Sequence, residues 1–230
     1  MKYSVVIPAA GQGKRMKAGR NKQFLELAGK PLIVHTLRLF ENDLWCQKII
    51  VVANKTECQM MWNLAKENGI GKVTSVVQGG SERQQSVKNG IDLLEDEQIV
   101  LVHDGARPFI SVNVIHRLVE IAEEKGAVTA AVPVKDTIKR VKKGKVVETL
   151  NRDELWQIQT PQAFQLSLLQ EAHKRAEEAE MVGTDDASLV EWLGHEVAVI
   201  EADYQNIKLT TPDDVLLAEA IYKKRELGKS

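Results

Sequence analysis

Along the chain, short apolar runs alternate with longer stretches in which apolar residues recur every three or four positions. A short run rich in Val and Ile fits a strand buried on both faces, whereas the longer spacing fits a helix with one apolar side. The runs predict strands at 3–7, 48–53, 72–77, 99–103, 128–133 and 196–201, and the spacing predicts helices at 31–42, 57–68, 82–94, 112–125, 166–180 and 212–227. Such alternation is the mark of an α/β chain with a mostly parallel sheet and helices on both faces. Thr56 and Ser81 each have Gln three residues on, which predicts capping boxes, and Thr211-Pro212-Asp213-Asp214 offers a cap, a first-turn proline and acids matched to the helix dipole.

One segment departs from the pattern. Residues 135–148 hold two short polar-apolar alternating stretches around Lys143-Gly144, the pattern of an exposed β-hairpin. It has too few apolar side chains to stand alone in water, so it is expected to pack against something, either the sheet edge or a second subunit. The whole chain of 230 residues otherwise reads as one domain.

Composition narrows the classes. Hydrophobic content of 43%, charged content of 27% and a formal net charge of -1 fit a soluble protein that needs no cofactor to fold, and they lack the basicity expected of a nucleic-acid binder. No apolar run reaches membrane-span length, and a first strand starting at residue 3 leaves no room for a signal-peptide core, so a cytoplasmic protein is expected. Cys46 and Cys58 are the only cysteines and lie in unrelated surroundings, which argues against a disulfide framework or a zinc site.

The first strand runs into Pro8-Ala9-Ala10-Gly11-Gln12-Gly13-Lys14-Arg15-Met16. Gly11 and Gly13 permit positive φ and leave no Cβ in the way, so backbone N–H groups can converge on an anion while Lys14, Arg15 and Lys22 add positive charge. A dinucleotide fingerprint would need glycine where Met16 stands, and a P-loop would need Ser or Thr where Arg15 or Pro31 follows a Gly-Lys pair. Ligands in open α/β sheets bind outside the carboxyl ends of strands, where 10–22, 79–83 and 103–107 all fall, so the three clusters are expected to form one site. Asp104 follows an apolar run and should emerge at a strand end, where a carboxylate can hold Mg²⁺ against phosphates. His103 reads as a packed strand-end residue, and the other histidines have no metal spacing.

Ala-Ala-Gly-x-Gly-x-Arg-Met followed by Lys22-Gln23-Phe24 and Gly29-Lys30-Pro31-Leu32 resembles the nucleotidyltransferases that join a sugar or polyol phosphate to a nucleoside triphosphate. Farther along, Val102–Pro108, Val134-Lys135-Asp136-Thr137, Asn151-Arg152, Thr160-Pro161-Gln162, Thr184-Asp185 and Asn206-Ile207-Lys208 follow in the order seen in the 2-C-methyl-D-erythritol 4-phosphate cytidylyltransferase family, so the resemblance spans nearly the whole chain. It implies a Rossmann-like, mostly parallel sheet with helices on both faces and a projecting β-hairpin arm at 135–155 that dimerises the protein. It implies transfer of CMP from CTP to a polyol phosphate, with a divalent cation such as Mg²⁺ held by Asp104 and each active site shared between two subunits. Arg15, Lys22 and Lys208 would be catalytic. The nucleotide would lie against Ala9, Ala10, Gly11, Gly13, Arg15, Lys22, Gly79, Gly80, Ser81, Arg83, Ser86, Asp104 and Gly105, with the 79–81 backbone reading cytosine. Asp104, Arg107, Thr184 and Lys208, together with Thr137 and Arg152 from the neighbouring subunit's arm, would hold the acceptor. Some relatives carry an acid at Ser81, so a plain helix cap is the first reading of that side chain. Ribitol 5-phosphate cytidylyltransferase is the nearest rival, but its opening usually reads Ala-Gly-Gly where Ala9-Ala10-Gly11 stands here. A nucleotide-binding regulator without turnover would have no use for cations aimed at both reactants.

Overall fold

The computed structural model describes residues 1–11, 21–95 and 97–227. Seven strands form the main sheet: β1 (Tyr3–Pro8), β4 (Cys46–Ala53), β5 (Val73–Gln78), β6 (Ile99–Val102), β7 (Ala127–Pro133), β10 (Trp156–Gln165) and β11 (Ala198–Glu201). Two short ladders supply the rest, β2 (Glu26–Leu27) with β3 (Lys30–Pro31), and β8 (Lys139–Lys142) with β9 (Lys145–Thr149). The helices are α1 (Leu32–Glu41), α2 (Cys58–Glu67), α3 (Arg83–Ile91), α4 (Val112–Lys125), α5 (Leu166–Glu178), α6 (Asp186–Trp192) and α7 (Pro212–Leu227). No helix among the described residues is long and apolar enough to cross a membrane.

Spatial order in the main sheet is β11-β7-β10-β6-β1-β4-β5. β1 pairs in parallel with both β4 and β6, so the chain winds outward from β1 in one direction and then restarts on its other side. The crevice above that reversal is where an open α/β sheet binds its ligand. Because side chains alternate along a strand, Val5 and Ile7 enter one core with α1, α2 and α4, while Val6 enters the opposite core with Val87 and Ile91 of α3 and with α5 and α6. Both faces are therefore apolar, which is why these strands read as unbroken hydrophobic runs.

All six predicted strands and all six predicted helices are present, α4 and α7 at the predicted bounds and the others with shifted ends. β10 and α6 add to that set. β10 is antiparallel to both β6 and β7 and fills the slot between them, yet its sequence Trp-Gln-Ile-Gln-Thr-Pro-Gln-Ala-Phe-Gln is polar and contains a proline. Its buried Gln162 explains the mismatch, since that amide donates to Thr129 Oγ1 (3.2 Å) and Asp185 Oδ2 (2.7 Å) and accepts from the Asp186 and Ala187 N–H groups (3.2 and 3.1 Å). A polar side chain in mid-sheet thus caps α6, which comes after α5 in the chain. Of the two expected capping boxes, the one at α2 does not form and the one at α3 is displaced by one residue. Thr56 lies inside a 3₁₀ turn, Lys55–Glu57, and Ser81 falls one residue ahead of the true cap of α3, Glu82. At α7 the acid reaches backward, Asp214 Oδ2 accepting from the Thr210 and Thr211 N–H groups at 2.7 and 2.8 Å.

The expected hairpin is β8–β9, closed by Lys143 (φ 50°) and Gly144 (φ 75°), the two left-handed residues that a tight hairpin turn requires. Every residue of both strands is exposed, including Val141, Val146 and Val147.

Candidate active site

The cleft at the strand ends is lined by Pro8, Ala10 and Gly11 after β1, by Gly80, Ser81 and Arg83 after β5, and by Asp104, Gly105 and Ala106 after β6. Lys22, Gln23, Ser86 and Lys208 complete it. Asn21 is the buried pin that brings Lys22 there: its Nδ2 donates to the Ala9 carbonyl (3.1 Å) and to Glu57 Oε2 (2.7 Å), while its Oδ1 accepts the Gln23 N–H (3.1 Å). Lys22 Nζ then reaches the carbonyl of Leu209, 2.9 Å away, in the segment following β11. Asn206, fully buried in that segment, donates to Gln159 Oε1 (2.7 Å) and the Thr160 carbonyl (2.9 Å), which fixes the backbone carrying Lys208.

Asp104 is the electrostatic centre. Lys208 Nζ lies 2.7 Å from its Oδ2, and Arg83 Nε and Arg107 Nε each approach to 3.6 Å. Burial alone would raise this carboxyl, but Lys208, Arg83 and Arg107 hold it well below the usual carboxylate range. It is an anion at any working pH. Arg107 also donates to the Asn206 carbonyl at 2.7 Å, so it binds the two walls of the cleft together from beneath.

The backbone of Asp104 is set by a chain of hydrogen bonds. Its N–H donates to Thr160 Oγ1 (3.0 Å), which lies 3.2 Å from His103 Nδ1, and His103 Nε2 lies 2.9 Å from the carbonyl of Arg107. Burial pushes the His103 imidazole down to about 4, so the ring is neutral near pH 7. A carbonyl can only accept, which puts the single ring proton on Nε2 and makes Nδ1 the acceptor of the Thr160 hydroxyl. Every proton in the chain is then assigned, and His103 serves as a packed strand-end residue.

The loop between β5 and α3 is bound to that helix. Gly80 N–H donates to Ser86 Oγ (3.1 Å), while Gln85 Oε1 accepts from the Ser81 N–H (2.9 Å) and Ser81 Oγ (2.8 Å). Ser81 is thus a loop staple and not the expected cap. Ser86 is buried with its hydroxyl spent on the loop and on the Glu82 carbonyl (3.1 Å).

The structure brings Ala10, Gly11, Lys22, Gly80, Ser81, Arg83, Ser86, Asp104, Gly105 and Lys208 to one cleft. Ala9 and Gly79 sit below its floor, their N–H groups donating to Val52 and Ala53 of β4 at 2.7 and 2.9 Å. Gly11 does not take a positive φ, and a Cβ built on it would touch none of the described atoms, so the conformational reason expected for that glycine does not hold there. Gly13 and Arg15 lie outside the described residues. Thr137, Arg152 and Thr184 are exposed and line no part of the cleft within one chain; Arg152 NH1 donates to the Lys135 carbonyl at 3.0 Å. Thr160, Gln162 and Asn206 are visible in the sequence as motif members, but nothing in their type reveals a supporting role. Asp186 and His173, which stand behind Arg83, give no sequence signal.

A family model described as IspD, 2-C-methyl-D-erythritol 4-phosphate cytidylyltransferase, matches residues 3–224. The protein of that name from Halalkalibacterium halodurans is 57% identical over 226 residues, covering 98% of this chain and 99% of the relative. The one from Bacillus velezensis is 57% identical over 224 residues, covering 97% of each. Among solved structures, 4-diphosphocytidyl-2C-methyl-D-erythritol synthase from Anaerococcus prevotii superposes with a TM-score of 0.84 at 28% identity, covering 96% of both chains. The Thermus thermophilus cytidylyltransferase superposes with a TM-score of 0.79 at 32% identity, covering 97% of this chain and all of that one.

Proposed function

The chain belongs to the 2-C-methyl-D-erythritol 4-phosphate cytidylyltransferase family, and we propose that the cleft at its strand ends is where it transfers CMP from CTP to 2-C-methyl-D-erythritol 4-phosphate. In this reaction a phosphate oxygen of the acceptor attacks the α-phosphorus of CTP, a new P–O bond forms in line with the one that breaks, and pyrophosphate leaves. Both reactants are anions. The protein's task is therefore to neutralise charge and align the two phosphates, with little need for a general base. The observation that carries the reading is the convergence of Lys22, Lys208 and Arg83 on the cleft around a single buried carboxylate at the sheet's reversal point.

In this reading Lys22 and Arg15 stabilise the charge that accumulates on the triphosphate as the leaving group departs. The 79–81 backbone and Arg83 take the nucleoside side, and Lys208 with Asp104 orients the acceptor. A hard cation that arrives on phosphates needs few protein carboxylates. Asp104 would hold such a magnesium ion, which when bound neutralises phosphate charge; among the described residues its Oδ1 has the loose 3.6 Å contact with Arg83. The exposed valines of the β8–β9 arm support a homodimer in which Thr137 and Arg152 of a second copy reach the acceptor phosphate, giving a shared site. We place the enzyme in the cytoplasm, acting on small molecules without nucleic acid or membrane. Pyrophosphate release from CTP and Mg²⁺, measured separately with 2-C-methyl-D-erythritol 4-phosphate and with ribitol 5-phosphate, tests the assignment. Turnover should appear with the first and fall by at least about tenfold in kcat/KM with the second, whose hydroxyls do not match the same partners; the reverse order would overturn it.

A further inference from the structure

Behind the cleft stands a carboxylate that none of these roles uses. Asp186 begins α6 and is 1% exposed, and its two oxygens are divided between two partners. Oδ2 accepts from Arg83 NH1 at 2.7 Å, and Oδ1 accepts from His173 Nε2 at 3.2 Å. His173, from α5, is equally buried, and its Nδ1 has no partner among the described residues, so the ring's one hydrogen bond is to Asp186. The Asp186 N–H donates to Gln162 Oε1 at 3.2 Å, which fixes the start of α6 to β10.

Arg83 therefore stands between two carboxylates and is committed to one. A separation of 2.7 Å is a short charge-assisted hydrogen bond, whereas the 3.6 Å to Asp104 is outside hydrogen-bonding range. We propose that Asp186, braced by His173, is a positioning residue that holds the Arg83 guanidinium on the nucleotide side of the cleft and keeps it from closing on Asp104. Without the Asp186 charge, the carboxylates near Arg83 are Asp185, whose two oxygens already accept from Gln162 Nε2 and the Ser188 N–H, and Asp104; a two-pronged pair of Arg83 with Asp104 would withdraw both groups from the ligands. Without the His173 N–H, the Asp186 carboxylate is free to turn and the fork loses its anchor. The inference rests on the assignment of Arg83 to the nucleotide.

The test is CTP binding measured by calorimetry with Mg²⁺ and no acceptor, alongside thermal unfolding. Asp186→Asn and His173→Leu should each weaken CTP binding by about tenfold, the loss of one hydrogen bond to a charged group. His173→Gln, which keeps an N–H donor, should stay within about twofold of wild type. In an Arg83→Gln background, which should itself weaken CTP binding, Asp186→Asn should add nothing further. Unchanged CTP binding in Asp186→Asn or His173→Leu would overturn the proposal, as would the same added loss in the Arg83→Gln background, because that would mean an effect on the fold at large. If Asp186→Asn fails to fold, the His173→Leu and His173→Gln pair decides: rescue by Gln supports the proposal, and equal loss in both overturns it. Wild-type CTP binding by Arg83→Gln would remove the nucleotide assignment of Arg83, and the positioning role with it.

Discussion

Asp104 can hold one geometry only because its backbone N–H, the Thr160 hydroxyl and the His103 ring donate in one direction, ending on the Arg107 carbonyl. All three residues are buried, so any group left without a partner carries its full desolvation cost. Thr160→Val keeps the shape and removes the hydroxyl, stranding the Asp104 N–H and His103 Nδ1. We expect it to lower unfolding stability by about 2–4 kcal/mol, from two unpaired buried groups. Thr160→Ser keeps the hydroxyl and should cost no more than about 1 kcal/mol for the lost methyl. Denaturant unfolding of the two variants checks this, and equal losses would mean that the hydroxyl chain is unimportant. At this scale the charges that line the cleft are legible in the sequence: Lys22, Asp104 and Lys208 stand in polar motifs, where a charged side chain serves a ligand more readily than it serves packing. The groups that hold them do not stand out. Asp186 and Asn206 are common residue types whose meaning depends on remote partners, Arg83 for the first, 103 positions away, and Thr160 and Arg107 for the second, 46 and 99 positions away. His173 depends in turn on Asp186, in a neighbouring helix.

Elements are legible where burial is two-sided and apolar, and illegible where it is polar. β1, β4 and β6 are hydrophobic runs because each face enters a core, but β10 carries buried Gln159, Thr160 and Gln162 whose amides and hydroxyl serve the cleft and α6. Periodicity has no means of finding such a strand. The loop between β5 and α3 is a related case, since its glycines suggest phosphate or base contact while the structure gives a second reason for both: a Cβ on Gly79 would lie 2.7 Å from Ser86 Oγ and 2.9 Å from Ala10 Cβ, and Gly80 is tighter still. A Cβ on Gly80 would lie 2.3 Å from Gln85 Cβ and 2.7 Å from Gln85 Oε1, the atom that staples Ser81. Gln85 Cβ sits on the helix backbone and has no room to yield. Gly80→Ala should therefore push the loop off α3 at a cost of about 1–3 kcal/mol, the usual range for overpacking. Its functional effect should be larger, with KM for CTP raised about tenfold and acceptor KM little changed, since the loop's backbone would no longer present fixed partners to the base. Steady-state kinetics with each substrate varied would decide; an acceptor defect in place of a CTP defect would reassign the loop.

For the whole molecule, the arm is the feature that one chain leaves unexplained. The β8–β9 hairpin buries none of its own residues, its only described cross-strand ion pair is Arg140–Glu148 at 3.1 Å, and it carries three valines 58–59% exposed. A two-stranded ribbon of that kind is marginal in water and gains stability by docking. If it docks on a second copy, Arg152 and Thr137 serve a site other than their own chain's, which accounts for their absence from the cleft here. Arg152→Ala homodimers should then lose acceptor binding while still binding CTP, because the acceptor phosphate loses a fork-shaped cation. Lys22→Ala homodimers should fail on the opposite wall, with kcat reduced by about two to three orders of magnitude, the range for removing a group that stabilises transition-state charge. Unfolding the two variants together and refolding equal amounts makes half of the dimers mixed, and in each mixed dimer one of the two sites joins an intact cleft to an intact arm. Half times half gives recovery to roughly a quarter of wild-type activity for random assembly of a two-fold dimer. Absence of recovery in a preparation where mass spectrometry of differently tagged chains demonstrates mixed dimers would place Arg152 in the service of its own chain, and the shared site would have to be abandoned.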